Sequence, residues 1–184
     1  MTIFKEKELN LRTTISYLII IGLISGVLGF IYETIFYRID LGYFVKRGST
    51  FGPWIPIYFF GGILITLFTY RFKDKPLAVF LINCVVTGIL EFGTGYVLYE
   101  FFKIRLWDYN TEIWNFGNIG GYICFRSILF FGLSSLFLIY GIIPTIFKVR
   151  EKISQKGFDI ISYIGLAIFV CDMILHAILS KGLN

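Results

Sequence analysis

Apolar residues run through this chain in stretches too long for a core helix and too continuous for an alternating strand. Five stretches predict membrane-crossing helices, at about residues 14–37, 55–72, 77–100, 120–143 and 158–180. Each holds 18 or more residues, near the ~20 that cross ~30 Å of hydrocarbon at about 1.5 Å per residue. Lipid offers backbone groups no hydrogen-bond partners, so the stretches are read as helices. Pro53 and Pro56 lead into the second, and Pro144 is expected to close the fourth. The expected fold is an all-α integral membrane protein, a bundle of about five transmembrane helices in a single transmembrane domain over residues 1–184.

Four ionisable residues interrupt the apolar stretches: Glu33, Glu91, Arg126 and Asp172. A charge in hydrocarbon costs roughly 2.5–3.5 kcal/mol on insertion scales, so such residues are expected to be paired, hydrated or functional. Counted from the nearer helix ends at 1.5 Å per residue, they lie about 6, 13, 9 and 12 Å below one membrane surface. All four fall in the same half of the bilayer, which predicts one buried polar site. Glu91 shares a helical face with Thr87, Thr94 and Gly95, and Asp172 shares one with His176. A structural reading pairs Glu91 with Arg126; a functional reading makes it a proton or solute carrier.

The segments between the stretches carry the remaining chemistry. The first runs Lys46-Arg47-Gly48 to Gly52-Pro53-Trp54-Ile55-Pro56-Ile57-Tyr58 and is nearly free of charge after Arg47. It is expected either to re-enter the bundle near residues 46–56, or to form a tight surface turn. The third contains Arg105, Trp107, Asp108, Asn110, Trp114, Asn115 and Asn118. Such a mixture fits a polar or cationic ligand, or equally an aromatic belt with turn asparagines. The candidate binding residues are therefore Glu33, Arg47, Trp54, Tyr58, Glu91, Trp107, Asp108, Asn115, Arg126 and Asp172. In the first stretch, Gly22-x-x-x-Gly26 and Ser25-x-x-x-Gly29 allow close helix approach, to another span or to another subunit.

Composition agrees with a membrane protein. Of 184 residues, 57% are hydrophobic and 16% charged, against about 25% charged in soluble domains. The net charge of +5 does not imply nucleic-acid binding, because the basic residues flank apolar stretches. Ten lie on one side and six on the other, which predicts a cytoplasmic N-terminus. The first stretch is too long for a signal-peptide core and no small-residue cleavage site follows, so it is read as an uncleaved helix. Cys84, Cys124 and Cys171 have no metal-ligand spacing, and no cofactor or metal is implied. G-x-x-x-x-G-K-[ST], H-E-x-x-H and G-x-S-x-G motifs are missing, so the chain has no visible ATPase or hydrolase chemistry of its own.

The spaced set Gly29-Phe30-Ile31-Tyr32-Glu33-Thr34, Lys46-Arg47-Gly48 and Gly52-Pro53-Trp54-Ile55-Pro56-Ile57-Tyr58 resembles the opening motifs of the ABC-transporter permease family of CmpB type. Leu90-Glu91-Phe92-Gly93-Thr94-Gly95, Glu100, Leu106-Trp107-Asp108-Tyr109, Trp114-Asn115-Phe116 and Gly121-Tyr122-Ile123-Cys124 are similar to its second block. The resemblance implies a small multi-span protein of the bacterial inner membrane, with any ATPase on a separate chain. The leading expectation is thus a permease-like subunit that binds or translocates a small polar or cationic solute. One alternative is an intramembrane enzyme acting on a lipid or isoprenoid, with Glu33, Glu91 and Asp108 as acid and base. Another is a solute-capture subunit that docks on a shared energising module through the glycine face of the first helix. A homo-oligomer is compatible with each.

Overall fold

Helix boundaries follow from local chemistry. In a computed structural model, which describes Phe4 and residues 10–180, Asn10 caps the first helix by accepting the Thr13 N–H at 2.9 Å. That helix, α1, spans Leu11–Leu41 and stops at Gly42, whose φ of 79° lies in the left-handed region. Helix α2, Pro56–Thr69, starts on a proline and continues as one 3₁₀ turn over Tyr70–Phe72. Helix α3, Pro76–Phe102, also starts on a proline. Helix α4 is Phe125–Phe137, α5 is Ile143–Glu151, and α6 is Gln155–Ser180.

Pro144 does not close the fourth span. A π turn over Leu138–Ile142 joins α4 to α5, so the span runs from Phe125 to Glu151. The wider turn accommodates a ring that has no N–H and would clash with the carbonyl four residues back in a regular helix. At its other end the span begins five residues later than expected, because Gly120 and Gly121 take positive φ in a turn. The stretch Lys148–Gly157 is mostly helical, with only a short turn between Glu151 and Gln155.

Among the described residues, four helices are long and apolar enough to cross a membrane, with Pro56–Phe72 a shorter fifth. Helix α1 packs on α2 and α6, and α3 packs on α4 and α2. Short turns at 73–75 and 152–154 lie on one face of the bundle, and the long loops 42–55 and 103–124 on the other. The outward flanks expose Ile35, Ile39, Leu81, Val85, Ile89, Leu175 and Ile178, a surface suited to lipid rather than water.

The small-residue face of α1 is filled from within the chain. A Cβ on Gly22 would come within 2.8 Å of the Phe59 ring, and the Tyr58 ring covers Gly29. The face expected to dock another module is therefore the α1–α2 interface. Near the short turns, Phe4, Tyr17, Tyr70, Phe147 and Phe158 form an aromatic core. There, buried Asp159 ties α6 to α1 through Arg12 Nε and Ser16 Oγ, each at 2.7 Å.

Candidate functional site

Both long loops fold inward. In the first, the Ile55 N–H donates to the Gly26 carbonyl at 3.1 Å, about 22 Å below Leu41 at 1.5 Å per residue. Segment 46–55 thus lies beside α1 rather than across its end, and α2 starts part-way down the bundle. Asp172 on α6 holds this segment by accepting the Phe51 and Gly52 N–H groups at 2.9 and 2.8 Å and the Trp54 indole N–H at 2.6 Å. The loop then delivers Arg47, whose Nε donates to Glu33 Oε2 at 2.9 Å while its guanidinium lies 3.6 Å from the centre of the Tyr37 ring.

The second loop is braced by its own polar groups. Asp108 Oδ1 accepts from Arg105 Nη2 at 2.9 Å and from the Asn110 N–H at 2.9 Å, and the Trp107 indole donates to the Tyr122 carbonyl at 3.0 Å. Asp40, at the end of α1, accepts the Ile113 N–H at 3.0 Å. These contacts press Glu112 between α1 and α4, where it is 7% exposed. One Glu112 oxygen accepts from the Tyr37 hydroxyl, and the other pairs with Arg126 Nη2.

Glu91 is held differently. It is 5% exposed, accepts the Tyr109 hydroxyl on one oxygen, and lies 2.8 Å from Ser127 Oγ on the other. Burial and the Glu91 charge push the Tyr109 phenol well above its usual range, so it stays a donor. Arg126 covers the Phe36 ring at 4.1 Å, and its Nε is buried without a hydrogen-bond partner.

These groups surround a cavity of about 40 Å³ lined by Glu33, Tyr37, Tyr58, Glu91, Glu112 and Arg126 among others. Its volume suits a water molecule or a small ion. Beyond it, towards the short turns, lies an apolar cavity of about 280 Å³ between α1, α2 and α4. Two aromatic contacts separate them: Tyr32 stacked on Phe130 at 3.6 Å, and Tyr58 against Phe131 at 5.4 Å.

Of the candidate residues, Glu33, Tyr58, Glu91, Trp107 and Arg126 line the small cavity, and Arg47 reaches it through Glu33. Asp172 and Trp54 lie across the first loop from it and hold each other. Asp108 is spent on bracing the second loop, and the half-buried Asn115 side chain donates to the Asn110 carbonyl at 3.4 Å, within the same loop. Arg126 pairs with Glu112 and not with Glu91, because the loop inserts between them in the fold. Glu112 belongs to no apolar stretch, so the sequence gives no sign of its place in the site. Tyr37 and Ser127 carried a weak signal, being one turn beyond Glu33 and adjacent to Arg126. Among the described residues, no group of three His, Cys, Asp or Glu side chains is arranged to hold a metal ion.

Three carboxylates face two guanidinium groups here, so the ionised cluster carries net negative charge. A family model described as "Putative ABC-transporter type IV" matches residues 20–177. Neither a curated protein nor a solved structure matches the chain.

Proposed function

The chain belongs to this ABC-transporter family, and from that premise we propose that it is a permease-like membrane subunit taking a small cation or small polar solute at the Glu33–Glu91–Glu112 cluster. The observation that carries this reading is the setting of Glu91. A buried carboxylate held only by hydroxyl donors lacks a counter-cation of its own, and an uncompensated buried charge is costly. A cation or a proton entering the cavity would relieve it. The unpartnered Arg126 Nε offers a polar solute one acceptor-seeking donor in the same cavity. Energy for transport would come from an ATPase on a separate chain, since this one has no phosphate-binding loop.

The test is thermal stabilisation of the purified protein across a panel of inorganic and organic cations. A ligand at 100 times its dissociation constant stabilises by about 2.7 kcal/mol. Glu91→Gln should remove that stabilisation while the protein still inserts and folds. Undiminished stabilisation in Glu91→Gln would refute the site. Co-purification from native membranes should also recover an ATP-hydrolysing chain, and its absence would count against the permease reading.

The enzyme alternative gains from the apolar cavity beside the carboxylates, which has room for part of a lipid chain. It loses from Asp108, whose Oδ1 is engaged by Arg105 and Asn110 within the loop.

A further inference from the structure

A third cavity, of about 450 Å³, opens between the first loop, the start of α2, the loop-side half of α3 and the start of the second loop. Its chemistry is divided. At the loop end stand Lys46, Arg47 and Arg105, with Glu33 the one carboxylate of the lining. Lys46 makes no ion pair among the described residues, and its ammonium rests 5.1 Å from the Phe51 ring centre. Arg105 bonds Asp108 and the Gly120 carbonyl through Nη2, but its buried Nε has no partner. These groups favour an anion.

The rest of the cleft is apolar. Leu98 and Leu90 run down α3, about 12 Å apart at 1.5 Å per residue, and Phe60 lines the opposite side from α2. Phe60 and Leu106 are half-exposed on the lipid-facing flank, so the cleft opens sideways towards hydrocarbon. Cations at the loop end and an apolar trough descending towards mid-bundle reproduce the polarity of a bilayer leaflet.

We propose that this cleft binds one anionic phospholipid from the leaflet on the loop side, its phosphate at Lys46, Arg47 and Arg105 and one acyl chain along Leu98, Leu90 and Phe60. The volume lies within the range of specific ligand sites, about 300–1,000 Å³, and basic pockets between membrane helices recognise anionic headgroups in this way. The site adjoins the solute cavity, with Glu33, Ile57 and Trp107 bordering both; a lipid phosphate on Arg47 would loosen its hold on Glu33 and so couple the two. The lipid proposal does not depend on the solute reading.

The experiment places the whole protein in nanodiscs of phosphatidylcholine with a minority of phosphatidylglycerol, extracts it into mild detergent, and counts retained lipids by native mass spectrometry. One phosphatidylglycerol per chain is expected to survive, in preference to phosphatidylcholine. Lys46→Gln, which removes no side-chain hydrogen bond among the described residues, should weaken retention about tenfold, the worth of one charge-assisted contact. Leu98→Trp, which fills the trough, should also weaken it. Lys148→Gln with Lys156→Gln, on the opposite face, should leave retention unchanged. Equal retention of both lipids, indifference to Lys46→Gln and Leu98→Trp, or an equal loss in the distant lysine variant would each overturn the proposal. Complete displacement by millimolar inorganic phosphate would also overturn it, by showing that the trough contributes nothing.

Discussion

Glu112, from the middle of the second long loop, pairs with Arg126 at the start of α4, and both side chains are largely buried, at 4% and 14% exposure. The pair closes the loop over the cavity and takes the arginine away from Glu91. Its second oxygen engages Tyr37 on α1, so one carboxylate joins a loop and two helices.

Breaking that pair from one side strands a buried charge. Glu112→Ala and Arg126→Ala should each destabilise the fold by about 3–5 kcal/mol. The double variant should be less destabilised than the two losses added together, by about 0.5–3 kcal/mol, as expected for contacting residues. Denaturant unfolding in detergent, read by circular dichroism, measures all three. Strict additivity would mean that the pair contributes no coupling.

Asp172 should prove a loop anchor rather than a solute ligand. Asp172→Ala removes the acceptor of two backbone N–H groups and one indole, each hydrogen bond to a charged group being worth about 1.5–3 kcal/mol before compensation by water. Hydrogen exchange should quicken at Phe51 and Gly52, the two amides that it binds. Cation stabilisation should fall less than in Glu91→Gln. Unchanged exchange at those amides would remove the anchoring role.

Small residues on α1 should tolerate little. Gly22→Val pushes a side chain into the Phe59 ring, already within 2.8 Å of a bare Cβ, and overpacking of this kind costs about 1–3 kcal/mol. Gly93→Ala on α3 meets nothing within 4 Å and should be neutral or raise the melting temperature, since alanine is the better helix former by about 1 kcal/mol. Thermal unfolding of the two variants side by side separates α1–α2 packing from a general intolerance of glycine substitution.

Asp159 ties the two ends of the bundle's short-turn face, where it meets Arg12, Ser16 and the Gln155 amide, the last at 2.7 Å. Asp159→Ala should cost about 1–3 kcal/mol through donors left without their acceptor, and leave both cation stabilisation and lipid retention unaltered. Loss of either ligand effect would show that the two faces are coupled.

The helical spans were legible because length and apolarity are local properties of a sequence: a run of some twenty apolar residues needs no distant partner to declare itself. Glu33, Glu91 and Arg126 stood out for the same reason, as charges interrupting apolar runs, and they line one cavity; their counted depths shifted, because α1 runs on to Leu41 and α4 starts only at Phe125. Which carboxylate Arg126 meets was not legible, because it depends on where a 22-residue loop, residues 103–124, is carried after α3 ends. The separation of Asp172 from the others was hidden for the same reason: equal depth constrains a residue along the bundle axis and says nothing of its position around it. The π turn before Pro144 likewise answers to packing, since proline alone argues for a break and the neighbouring helices restore the span. Local hydropathy set the elements; the paths of two inward-folded loops decided which charges touch, because those contacts are made between segments far apart in the chain.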